Sequence, residues 1–227
     1  MNDALKTRAE TIPADGSPLP CDLTLPPEAC GVVVFAHGSG SSRRSPRNVQ
    51  VARRLNGSGL ATLLFDLLTP AEAEDRRNVF DVALLASRLL AATRWLRGRP
   101  DTAALPLGYF GASTGAAAAL WAAADQEGGV AAVVSRGGRP DLAEPRLALV
   151  GAPTLLVVGG ADELVLELNR RALEELHCER RLAVVPGAAH LFEEPGALEQ
   201  VADLASAWFV EHLVPALPRE PADVETD

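Results

Sequence analysis

The sequence predicts an α/β fold with one mostly parallel central sheet and helices on both faces. Two observations carry this. Short runs of aliphatic and β-branched residues recur at Gly31–Ala36, Leu60–Phe65, Leu107–Phe110, Val130–Val134, Thr154–Val158 and Leu182–Val185, the signature of strands buried on both faces. Helical patterns lie between them, and strands alternating with helices imply right-handed crossovers and a parallel sheet.

Taken in order, the first elements differ from the rest. Thr7–Ile12 and Leu19–Leu25 flank Ala14-Asp15-Gly16-Ser17, a turn composition, so an antiparallel hairpin is expected at one sheet edge. Ser45-Pro46 reads as an N-cap followed by proline at the first helical position, opening a helix to about Leu55. Further helices are expected over Arg76–Leu96, Ser113–Ala124, Glu163–Leu176 and Pro195–Leu213. Residues 1–214 read as a single domain with no lid domain. The segment 215–227, rich in proline and acid, reads as disordered.

Composition narrows the function. The chain has 227 residues, 48% of them hydrophobic, which suits one substantial core. A net charge of -9 with no basic block argues against nucleic-acid binding. Lys6 is the only lysine, which excludes a Walker-type phosphate loop and Schiff-base catalysis. Cys21, Cys30 and Cys178 have no metal-ligand spacing, so reduced thiols and no metal are expected. Met1–Glu10 is polar and carries no apolar signal segment, and no apolar run is long enough to span a membrane. The expectation is a cytoplasmic monomer or homodimer without a cofactor.

Gly111-Ala112-Ser113-Thr114-Gly115 matches the G-x-S-x-G elbow, placed where an apolar strand meets an alanine-rich helix. Such a turn exposes a serine hydroxyl above the sheet. A hydroxyl needs a base within hydrogen-bond reach. His190 is the candidate, because Gly187-Ala188-Ala189-His190 follows the last strand at the carboxyl edge of the sheet, where open α/β folds bind ligands. His177 reads as lying inside a helix and His212 as lying near the end of one. Asp162, after Gly159-Gly160-Ala161, is the preferred acid to orient the imidazole; Asp66 is a second candidate, and Glu163 reads as a helix start. The oxyanion donors are expected to be the backbone N–H groups of Thr114 and of Ser39 in His37-Gly38-Ser39-Gly40-Ser41-Ser42, with Gly40 able to replace Ser39. Arg47 or Arg136 is expected to face the pocket and favour a substrate carboxylate, the alternative being an ion pair with Asp66 or Asp141.

With these positions assigned, residues 5 to 214 resemble the α/β-hydrolase superfamily. Within it, the lidless shape resembles the dienelactone hydrolase-like family. His37-Gly38-Ser39-Gly40-Ser41-Ser42, Gly108-Tyr109-Phe110-Gly111-Ala112-Ser113-Thr114-Gly115 and Ser135-Arg136-Gly137-Gly138-Arg139-Pro140-Asp141 are similar to a bacterial subgroup. Domains of that subgroup also occur beside phosphoribosyltransferase domains. The resemblance implies the fold, a Ser-His-Asp triad and a cytoplasmic location. True dienelactone hydrolases use cysteine as nucleophile, whereas this chain has Ser113, so a small ester other than dienelactone is the expected substrate. The same triad also serves thioesterases, acyltransferases and peptidases, and the fold can persist as a non-catalytic binding module.

Overall fold

In the computed structural model, which describes residues 5–14, 16–125 and 129–214, every aliphatic run becomes a strand. In chain order these are β1 (Lys6–Ala14), β2 (Ser17–Leu25), β3 (Gly31–Ala36), β4 (Leu60–Phe65), β5 (Leu107–Ala112), β6 (Val130–Arg136), β7 (Thr154–Gly159) and β8 (Arg180–Val185). They form one sheet in the order β1-β2-β4-β3-β5-β6-β7-β8. The β1–β2 hairpin joins β4 antiparallel, and every pair from β4 across to β8 is parallel. Each residue of β3, β4, β5 and β7 is buried, which is why these strands read as unbroken apolar runs. At the far edge β8 exposes Arg180 and Arg181, charges that discourage pairing with another chain.

The helices are α1 (Pro46–Gly57), α2 (Pro70–Glu74), α3 (Arg76–Phe80), α4 (Val82–Arg97), α5 (Thr114–Ala123), α6 (Glu163–Glu175) and α7 (Ala197–Leu213). They divide the core between two faces. Leu85, Leu89 and Leu96 of α4 and the alanines of α5 pack on one face, with Val34, Leu63 and Tyr109. Val51 and Leu55 of α1 and Val201, Ala205 and Phe209 of α7 pack on the other, with Val33, Phe35 and Phe110. Among the described residues no helix is long and apolar enough to cross a membrane.

Some expectations need correction. The helix expected over Arg76–Leu96 is two helices, because Asp75 and Asp81 take extended backbone and accept from Arg77 N and Leu84 N as N-caps. Helix α2 was not expected, although Thr69 and Glu72 form a capping box with Pro70 at the first position. Ser45 does precede α1, but its hydroxyl makes no capping bond. His177 lies beyond the end of α6, in the connection to β8 at the amino edge of the sheet. A 3-10 segment, Pro140–Leu149, follows β6; Pro145 in its interior lacks the N–H that an α-helix would use there. The tail expected to be disordered, 215–227, lies outside the described residues.

Candidate active site

Ser113 stands between β5 and α5 with φ +52° and ψ −119°, a conformation unusual for any residue with a side chain. Its neighbours must be small. A Cβ added at Gly115 would lie 2.3 Å from Ala36 O, and one at Gly111 would lie 2.4 Å from Ala116 Cα. The turn is tied to the next strand by backbone bonds: Ser113 N–H donates to Arg136 O at 3.1 Å, and Arg139 N–H donates to Ser113 O at 3.2 Å.

His190 and Asp162 meet. The distance from Nδ1 to the Asp162 Oδ2 is 2.7 Å, with the carboxylate more buried than the ring. The loops after β7 and β8 are pressed together to make this contact. Gly160 N–H donates to Val185 O and Ala161 N–H to Ala188 O, at 2.8 and 2.9 Å. Only glycine fits at 159, where a Cβ would stand 2.2 Å from Ala188 O. The Ala189 amide is held by the Glu194 carboxylate at 2.9 Å. Gly137, one residue beyond the carbonyl that holds Ser113, lies under the imidazole: a Cβ there would be 3.6 Å from His190 Cε1. Ser113 and His190 thus flank the end of β6.

Among the described residues no hydrogen bond joins His190 to either of the other candidate carboxylates. Asp66 accepts from the Arg43 amide at 2.8 Å and from its guanidinium. Glu163 is the first residue of α6. Of the other histidines, His212 packs edge-on against Trp208 and lies 3.8 Å from Glu179.

The loop after β3 approaches Ser113 from the opposite side, where a Cβ at Gly38 would come within 3.1 Å of Ser113 Cβ. The Ser39 N–H donates to Thr114 Oγ1 at 2.9 Å. His37 props the loop: Nε2 accepts from Leu67 N–H at 3.1 Å, so Nδ1 carries the proton given to Gly38 O at 3.0 Å. Burial holds the His37 imidazole below the usual histidine range. Beside this loop lies a cavity of about 390 Å³ whose walls include Ser39, Thr114, Leu67, Leu68, Val79 and Leu85.

The model of the Dienelactone hydrolase family matches residues 22–210. The chain belongs to this family. A crystal structure of a dienelactone hydrolase from Anabaena variabilis is 55% identical, with a TM-score of 0.90, over 92% of this chain and 99% of that one. A Mycobacterium tuberculosis protein with the provisional name phosphoribosyl transferase is 62% identical over 208 residues, 91% of this chain and 47% of that protein. This chain therefore spans about half the length of that relative. A lidless α/β serine hydrolase from Xanthomonas campestris, 24% identical, shares the fold at a TM-score of 0.71 over 94% of this chain and 97% of that one.

In this family member the cysteines stand away from the elbow. Cys21 is buried in β2, and burial pushes its thiol up to about 12. Burial also raises the Cys178 thiol. The arginines divide. Arg43 pairs with Asp66 and Asp22, and Arg139 with Asp141. Arg47 reaches Glu193 at 3.4 Å. Arg136, at the end of β6, is only 7% exposed, and its Nε and Nη1 are buried without a hydrogen-bond partner among the described residues. Burial, then the Arg47 charge, lowers its pKa to about 10. The cavity walls from Leu67 to Leu85 had no signal in the sequence except the Thr69–Glu72 capping box, which announces a short helix after β4.

Proposed function

We propose that this chain is a serine hydrolase that cleaves a small carboxylic ester through an acyl-enzyme. The observation that carries the reading is the 2.7 Å bond between His190 and Asp162, at the same sheet edge as a serine held at φ +52°. Asp162 accepts from Nδ1–H, which leaves Nε2 as the basic nitrogen. Ser113 Oγ attacks the ester carbonyl carbon while its proton passes to Nε2. The carbonyl becomes an oxyanion, which the Thr114 backbone N–H at the start of α5 stabilises. The Ser39 N–H is the second donor, exchanging its present acceptor, Thr114 Oγ1, for the substrate oxygen. Collapse of the adduct breaks the ester C–O bond, and the leaving alkoxide takes the proton from Nε2. Water then repeats the sequence: it gives its proton to Nε2, attacks the acyl carbon and releases the acid.

The apolar cavity beside Ser39 and Thr114 takes the acyl group in this reading, and its size suits a short chain or one ring. The relative bearing a phosphoribosyl transferase name is about twice as long as the matched segment. A serine elbow at the same sheet edge as a histidine–carboxylate pair supports acyl transfer rather than ribosyl transfer. We place the chain in the cytoplasm, as residues 1–214 forming one domain without a lid.

A fluorophosphonate probe tests the proposal. It should label the wild type, and neither Ser113→Ala nor His190→Ala. Hydrolysis of p-nitrophenyl acetate should fall in both variants by about 10⁴-fold in kcat, because the two residues act as one unit. A wild type that resists labelling would mark a non-catalytic module, and undiminished turnover in Ser113→Ala would assign the chemistry to another residue.

A further inference from the structure

The hairpin edge of the sheet is polar on one face. Leu19, Cys21 and Leu23 of β2 belong to the core that α4 covers, so the alternate residues Asp22 and Thr24 face the α1 side. There they stand opposite Leu64 and Thr62 of β4. Between these strands and α1 lies a trough of about 530 Å³, a size that suits a small molecule. It shares only Arg43 with the cavity beside the elbow. Val49, Ala52 and Leu64 give it apolar surface, and the buried residues Asn56 and Thr62 give it polar surface. Asn56 Nδ2 donates to Leu60 O and Thr62 Oγ1 at 2.9 and 3.0 Å, which leaves Oδ1 as an acceptor.

The charges around this trough do not balance. Arg43, Arg44 and Arg53 line it against one acid, Asp22. Arg43 is already neutralised, by Asp22 at 3.2 Å and by Asp66. The guanidinium groups of Arg44 and Arg53 have no ion pair or hydrogen bond among the described residues, and Arg44 is tied only through its amide, to Ser42 Oγ. In a chain of net charge -9, two uncompensated cations beside one trough make a local field opposite to that of the whole molecule, which draws anions. Guanidinium groups match phosphate geometry, and two of them suit a dianion. A phosphate monoester carries about 1.5 to 2 negative charges at neutral pH. We propose that the trough is a second ligand site, which binds a small phosphate monoester. Arg44 and Arg53 take the phosphate, and Val49, Ala52 and Leu64 take an apolar body the size of one ring. The site stands apart from Ser113, so it does not depend on the serine-hydrolase reading.

Phenyl phosphate is the probe, read by titration calorimetry and by melting temperature on the full chain. It should bind the wild type and raise the melting temperature in step with its concentration. Arg44→Met and Arg53→Met should each weaken Kd by about 10-fold or more, the scale of a charged hydrogen bond, and the double variant should not bind. Arg44 is half-buried and Arg53 exposed, so the unliganded variants should melt close to wild type. No melting shift in the wild type, or unchanged binding in the double variant, would overturn the proposal. Inorganic phosphate should bind about 10-fold more weakly or worse, because it has no apolar body to bury. Equal binding of the two would mean an adventitious ion only. Phosphatidylcholine vesicles carrying phosphatidate test a lipid source of the same group. Sedimentation with those vesicles that the double variant loses, without binding of phenyl phosphate, would overturn the assignment to a small molecule.

Discussion

Replacing the candidate nucleophile with glycine should make the protein more stable than replacing it with alanine. Ser113 holds φ +52° and ψ −119° between a strand and a helix. A residue with a Cβ in such a region costs on the order of 1–3 kcal/mol, and the surrounding structure must impose it. Here the backbone bonds to Arg136 and Arg139 do so, with Gly111 and Gly115 packed against Ala116 and Ala36. Ser113→Ala keeps the Cβ and therefore the strain. Ser113→Gly releases it, offset by about 0.5–1 kcal/mol of extra backbone entropy in the unfolded chain. The difference should be about 1 kcal/mol in favour of glycine, or about 2–4 °C in melting temperature for a domain of this size. Calorimetry of the two inactive variants, checked by urea unfolding with equal slopes, measures it. If Ser113→Gly melts at or below Ser113→Ala, the elbow stores no strain, and the account of how the hydroxyl is presented is wrong.

Two further outcomes are expected. Asp162→Asn should preserve the contact with His190 but set the wrong tautomer, lowering kcat by about 10²- to 10⁴-fold; a rate near wild type would show that the 2.7 Å contact is not used in catalysis. The His37 pKa is lowered by burial in the folded state. The unfolded chain therefore takes up the proton first as pH falls below the ordinary histidine value of 6.5. His37 makes no demand above that pH and destabilises the fold progressively below it, until the folded-state ring also protonates. In His37→Gln the fall in unfolding free energy on acidification should be shallower by up to about 1.4 kcal/mol per pH unit, measured by urea denaturation across that window. An unchanged slope would mean that His37 is protonated in the fold, with its bond from Leu67 N–H lost.

The strands were legible because β3, β4, β5 and β7 are buried on both faces, so nothing in them needs to be polar. The elbow was legible for a related reason: a turn this tight admits only small residues around Ser113, and that constraint is written in Gly111 and Gly115. The break at Asp81 was hidden, because its apolar residues keep helical spacing on both sides while a side-chain cap competes with the helix backbone.

Local composition by itself therefore determined the fold class, the position of the elbow and the shortlist of acids and bases. Tertiary structure decided which members of the shortlist meet. Asp162 reaches His190 because the loops after β7 and β8 close over Gly159, while Asp66 is captured by Arg43. It also decided the fate of the arginines, which look alike in sequence: Arg43 and Arg139 find carboxylates, and Arg136 is buried without one among the described residues. The reason is range. Strand burial and tight turns constrain residues adjacent in the chain, whereas pairing a charge depends on groups tens of residues apart that only the folded sheet edge brings together.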